Sequence, residues 1–206
     1  MRIDRALFFA SVRDTVYAGR MTGGQVQGLN NVLDVAEARY PAIMRQWLAY
    51  CLATAHHETA FTMQPVRERG GAEYFLRRYD PRSPDPKMAA RAVRMGAKPG
   101  DGPVYFGRGH VQLTWGTNYL RFERLLGIPL FANPDLALEP EVSVRVLIEG
   151  SIGGLFTGKK LGDYIVSGRT DYVGARKVIN GTDKAEDIAS YAVSFDSALT
   201  RSLTPR

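Results

Sequence analysis

The chain has 206 residues, with 27 Lys and Arg against 21 Asp and Glu, a formal net charge of +6 and a pI of about 9.5. That length suits one domain or one two-lobed domain with a sizeable core, and 45% hydrophobic with 23% charged residues is ordinary for a soluble globular protein. A lone Cys51 excludes an intrachain disulfide and fits folding in a reducing compartment, and no apolar run reaches membrane-spanning length.

Leu7-Phe8-Phe9-Ala10 is too short for a signal h-region, and charge returns at Arg13 and Asp14, so no signal peptide is expected. The first helical pattern runs from Asp4 to Tyr17, ending near Gly19. The second opens at Thr22-Gly23-Gly24-Gln25, a capping-box pattern, and continues through Val26, Leu29, Val32, Leu33 and Ala36. Pro41 is placed to start a third helix, whose residues Ile43, Met44, Trp47, Leu48, Cys51, Leu52 and Ala55 form one apolar stripe. With about 100° per residue, Glu58 falls inside that stripe, while His56 and His57 fall outside it. A carboxyl aligned with a buried face is costly unless paired or used, so Glu58 is expected to face a cleft with a raised pKa.

Residues 61–80 read as a loop and a short helix, Ala72 to Tyr79, followed by the proline-rich Asp80–Pro86. A short helix from Lys87 to Met95 is stopped by Gly96. Residues 96–115 are expected to form a small β or irregular lobe. Helices follow from Thr117 to Leu126, from Pro140 onward, near Lys160–Ile165, over Asp171–Ile179 and over Asp183–Leu199, the last with a capping-box pattern at Asp183-Lys184-Ala185-Glu186. The expectation is a mainly α chain, residues 1–206 as a single catalytic domain with no separate wall-binding module.

Several chemistries are disfavoured. His57-Glu58 begins like a zincin helix, but Phe61 stands where the second His is needed, and with only His56, His57 and His110 available no metal is expected. There is no GxSxG, Cys51 lies in the apolar stripe, and Gly107-Arg108-Gly109 lacks the third glycine of a dinucleotide fingerprint. The arginines are scattered, and no nucleic-acid-binding module is recognisable. Paired carboxylates remain. Glycosidic bonds are commonly hydrolysed by one acid held protonated and one held ionised. Glu58, on an apolar face, suits the acid. Glu68, ten residues on and flanked by Arg67 and Arg69, suits the ionised partner, with Glu73 as its competitor.

His57-Glu58-Thr59, then Tyr105-Phe106-Gly107-Arg108-Gly109-His110-Val111-Gln112-Leu113-Thr114-Trp115, then Asn118-Tyr119, resembles the signature of glycoside hydrolase family 19, which includes plant chitinases and phage endolysins. Asn133-Pro134-Asp135-Leu136 and Val178-Ile179-Asn180-Gly181 resemble later segments of that family, so the resemblance covers about residues 45–195. It implies a lysozyme-like, mainly helical fold of two lobes and an inverting mechanism without a cofactor. Glu58 would be the general acid and Glu68 the base, at the spacing of phage-type members, with Glu73 still in contention. Thr114 would help hold the attacking water. Tyr105, Gln112, Asn118 and Asn180 match sugar-contacting positions, and His57, beside the acid, is a further substrate-binding candidate. Arg108 between two glycines reads as a brace for the lobe, and Trp115 as core or cleft wall.

The expected function is an endolysin-type hydrolase cutting the β-1,4 glycan of peptidoglycan. It would act as a monomer, accumulating in a host bacterial cytoplasm until a holin or similar partner releases it to the cell wall. It would have no nucleic-acid partner and no stable membrane insertion. A chitinase acting on chitin, or a non-catalytic glycan-binding member of the fold, are the alternatives. Whether a muramidase or glucosaminidase bond is cut stays open.

Overall fold

The computed structural model describes residues 2–204. The chain is mainly helical and divides into two compact units, one formed by the residues up to Gln64 and from Leu147 onward, the other by Pro65–Val146.

The first unit contains α1 (Arg5–Thr15), α2 (Gly23–Arg39) and α3 (Arg45–Glu58). It also holds the end of α7 (Pro140–Gly153), the short α8 (Tyr172–Ala175) and α9 (Ala185–Ser202). Asp4 caps α1 by accepting from the Leu7 amide, and Thr22 and Gln25 close the expected capping box on α2. The third helix departs from expectation at its start. Pro41 lies in a turn, Met44 is the N-cap, and the helix begins at Arg45. Every residue from Leu48 to His56 is buried, because α9 packs along α3 while α2 also contacts it. The stripe reading therefore fails for His56. Its ring is 3% exposed, surrounded by Tyr17, Phe61, Tyr191 and Phe195. A helix buried all round has no polar face for periodicity to find.

Two other expectations in this unit change. Lys160–Ile165 is a 3₁₀ turn, Leu161–Asp163, leading into β3 (Ile165–Val166), which pairs antiparallel with β4 (Arg169–Thr170). Gly168, at φ +80°, makes the reversal that joins them. The capping box before α9 does not form, since Lys184 takes a left-handed conformation with no side-chain cap.

The second unit contains β1 (Val66–Arg67), α4 (Ala72–Tyr79), α5 (Pro86–Arg94), β2 (Arg108–Gly109), α6 (Gly116–Leu126) and the start of α7. Asp85 caps α5 with Pro86 in its first turn, and Gly127, at φ +68°, ends α6. Phe75, Tyr79, Ala92, Phe106 and Trp115 form one buried cluster, which settles Trp115 as core. The expected β lobe is small and irregular. Arg108 and Leu113 close a tight loop with reciprocal backbone bonds, while the ladder partner of β2 is β1, outside the 96–115 stretch. Asp80 organises the turns beside it. Its buried carboxylate accepts from the Arg82 side chain and from the Gly100 and Gly102 amides. Burial pushes that carboxyl up, but these donors overrule it and hold it down at about 2.

Candidate active site

In the first unit Glu58 is the last residue of α3, followed by a turn that L-residues rarely adopt. Ala60, Phe61 and Met63 all have φ between 49° and 66°. The turn is tied down from several sides. Thr59 Oγ1 donates to the Ala55 carbonyl at 2.7 Å and accepts from the Met63 amide at 2.9 Å. The Phe61 amide bonds the His56 carbonyl at 2.8 Å, and Gln25 Nε2 on α2 donates to the Phe61 carbonyl at 3.0 Å. Gly28 on α2 lies so close that a Cβ there would collide with the Met63 carbonyl.

Glu58 does not stand alone on an apolar face. Arg176 Nη1 donates to its Oε1 at 2.6 Å, and the Arg176 side chain is 2% exposed against 22% for that of Glu58. Arg176 Nε in turn donates to the Asp183 carbonyl at 2.8 Å. No periodicity or spacing points to this partner, which lies 118 positions away. Exposed Asn180 is placed by its own amide, which bonds the Arg176 carbonyl at 3.0 Å. His57 is half-buried, its Nδ1 without a hydrogen-bond partner among the described residues. His56 Nδ1 is likewise buried and unbonded, and burial, reinforced by His57, pulls its pKa down to about 4.

In the second unit Glu68 follows β1 and is held reciprocally by Gly107. The Glu68 amide donates to the Gly107 carbonyl at 2.9 Å, and the Gly107 amide donates to Glu68 Oε2 at 3.1 Å. The Tyr79 hydroxyl donates to Oε1 at 2.8 Å, Tyr74 reaches it at 3.4 Å, and Arg78 Nε stands 3.9 Å away. Burial, with the bond to Glu68 behind it, pushes the Tyr79 phenol up to about 12. A Cβ at residue 107 would sit 2.6 Å from Gln112 Oε1 and 3.1 Å from Glu68 Oε2, so a side chain there would displace the ends of both. Glu73, by contrast, is exposed in the first turn of α4 and makes no hydrogen bond or ion pair among the described residues.

Gln112, Thr114 and Asn118 form a chain in this same unit. Gln112, at φ +50°, donates to the Val66 carbonyl at 3.0 Å. Thr114 Oγ1 donates to the Gln112 carbonyl at 2.7 Å, and Asn118 Nδ2 donates to the Thr114 carbonyl at 2.9 Å. All three are half-buried. Tyr105 is more enclosed at 8% exposure. Its ring stacks on Phe131, and its hydroxyl donates to the Phe131 carbonyl at 3.2 Å. Arg108 is a brace: it bonds the Val104 and Phe106 carbonyls, pairs with Asp135 at 2.7 Å and lies over the Phe106 ring. Thus Glu58, His57 and Asn180 gather in one unit, and Glu68, Gln112, Thr114 and Asn118 in the other. Among the described residues no cluster of His, Cys, Asp and Glu could hold a metal ion.

No family model matches the chain. Over 45 residues it is 49% identical to Endochitinase 1 of Theobroma cacao, a stretch that covers 21% of this chain and only 14% of that protein. Over 48 residues it is 40% identical to Endochitinase A2 of Pisum sativum, covering 23% and 15%. Among solved structures, chitinase C of Streptomyces griseus aligns over 99% of this chain and 79% of its own, at 21% identity and a TM-score of 0.60. A bacterial family 19 chitinase aligns over 99% and 98%, at 20% identity and a TM-score of 0.54. The chain thus has the mainly helical, lysozyme-like fold of the family 19 chitinases.

Proposed function

We propose that the chain is a glycoside hydrolase that cleaves β-1,4-linked N-acetylhexosamine glycans with inversion. The observation that carries this reading is the different care taken of its two carboxylates. Glu58 is charge-paired to Arg176, and Glu68 is cradled by two neutral donors, the Tyr79 hydroxyl and the Gly107 amide. Glu58 would protonate the leaving oxygen as the bond to the anomeric carbon breaks. Its Oε1 is occupied by Arg176, which leaves Oε2 for the proton. Arg176 would then stabilise the carboxylate left behind. Glu68 would take a proton from the water whose oxygen bonds the opposite face of that carbon. Thr114, already donating to Gln112, has lone pairs free to accept from that water. Among the carboxylate candidates for base, the bonding of Glu68 and the bare exposure of Glu73 favour Glu68.

The named relatives, all called chitinases or endochitinases, favour chitin as substrate. An endolysin-type action on peptidoglycan is the second reading, favoured by the +6 charge and by the unneutralised cations described below. Proton NMR of fresh digests of N-acetylglucosamine oligomers tests the chemistry: the α-anomer is expected first, and an initial β-anomer would remove the inverting mechanism. Reducing-end analysis of digested sacculi, beside colloidal chitin, decides the substrate. Binding without turnover of either would leave a glycan-binding role.

A further inference from the structure

Residues 72–98 carry seven Lys and Arg against three Asp and Glu, a net +4 within a chain whose total is +6. Two of the three acids are engaged: Asp80 is buried by Arg82 and two glycine amides, and Asp85 caps α5. The cations Arg77, Arg78, Lys87, Arg91 and Arg94 are all exposed. Among the described residues, Arg77, Lys87 and Arg94 make no ion pair, and Arg91 meets only the Trp115 ring, at 5.6 Å. Lys87, Arg91 and Arg94 stand at i, i+4 and i+7, within about 60° of one helix face and over roughly 10 Å of its length. Leaving like charges unneutralised along one stripe is unfavourable in the free protein, so the arrangement calls for an anionic partner.

We propose that the α4–α5 face docks carboxylate groups borne as substituents on the glycan strand that the enzyme cuts, as the stem peptides of peptidoglycan are. This rests on the glycan-cleaving reading above and adds a preference among glycans. Two observations choose this partner. First, the face begins at the reaction centre, because Arg78 at the C-terminal end of α4 lies 3.9 Å from Glu68 and α5 packs against α4. A strand engaged at Glu68 is therefore the polymer nearest these cations. Second, a membrane surface is a poor fit. The apolar side of α5 is committed to the core, with Ala92 fully buried beside Phe75 and Trp115 and Met95 packed on the same cluster, leaving Val93 as its exposed large apolar residue. Four of the five cations are arginines, whose planar fork matches a carboxylate.

The test combines the triple variant Lys87→Glu, Arg91→Glu, Arg94→Glu with substrate chemistry. None of these residues belongs to the proposed catalytic groups. Pelleting with purified sacculi at low salt should show affinity falling by about tenfold or more in the variant. Sacculi whose carboxyls have been amidated should bind the wild type as weakly as the variant binds untreated ones. Hydrolysis of neutral N-acetylglucosamine oligomers should stay within about twofold, since no rim charge acts on the chemistry. The neutral triple variant with Gln at the same positions gives the same readout if charge reversal impairs folding. Unchanged binding after amidation overturns the proposal, as does tighter wild-type binding to anionic phospholipid vesicles or duplex DNA than to sacculi. Failure to cut either glycan would instead remove the hydrolase reading, while the amidation result still reports on the surface.

Discussion

The two carboxylates are held by opposite means. Glu58 ends a helix buried all round, is followed by a strained turn, and meets a buried guanidinium at 2.6 Å. Glu68 sits on a loop after a two-residue strand and meets a phenol and a backbone amide, with its nearest cation at 3.9 Å. A cation at contact would stabilise the negative charge left on Glu58 in its proposed role as proton donor. Neutral donors hold Glu68 in place with no cation at contact distance. The difference teaches that burial alone, which the pattern of the third helix suggests for Glu58, leaves out the partner that each carboxylate meets.

The sharpest break of that comparison is at the carboxylates themselves. Glu58→Gln should lower kcat on the order of 10³-fold with glycan binding retained in calorimetry. Glu68→Gln should lower it on the order of 10²-fold, whereas Glu73→Gln should leave it unchanged; the reverse ranking of Glu68 and Glu73 would transfer the base role to Glu73. His56, two residues before Glu58, supplies a test in stability. Its folded pKa of about 4 lies below the ordinary 6.5, so the unfolded chain takes up the proton first. Stability should therefore fall as pH drops from 6.5 towards 4, by roughly 3 kcal/mol in all, and level off below. Urea midpoints across that range check it, and His56→Phe should flatten the slope.

Smaller effects probe what positions Glu58. Gly28→Ala should destabilise by about 2 kcal/mol through its clash with Met63, read as a lowered thermal midpoint. Arg176→Lys should keep the charge, lose the fork and lower kcat about tenfold with little change in KM. An unaltered kcat there would mean that the ion pair holds structure only.

Much of this was legible in the sequence because local chemistry encodes it. Thr22 with Gln25, Asp85 with Pro86, and Gly127 each mark a helix end by groups within a few residues. The Gly107–Thr114 stretch stands out by its resemblance to the family 19 signature instead. What was not legible depends on distant pairing. Nothing near Glu58 announces Arg176, and β2 finds its partner in β1 rather than within its own loop. The wheel of α3 sets His56 outside the apolar stripe, whereas α9 covers the face that the pattern of α3 alone leaves open. Pro41, suited to begin a helix, instead shapes the turn before one.

The close approach of Gly28 to Met63 makes the turn after Glu58, the proposed catalytic acid, depend on a position thirty residues upstream of Glu58 that has no side chain to recognise. A search for active-site residues by what side chains touch passes over it, and an alanine scan that treats glycine as already minimal would skip it. Anyone transplanting the Glu58 segment into another helical scaffold would have to carry the bare backbone of α2 along with it.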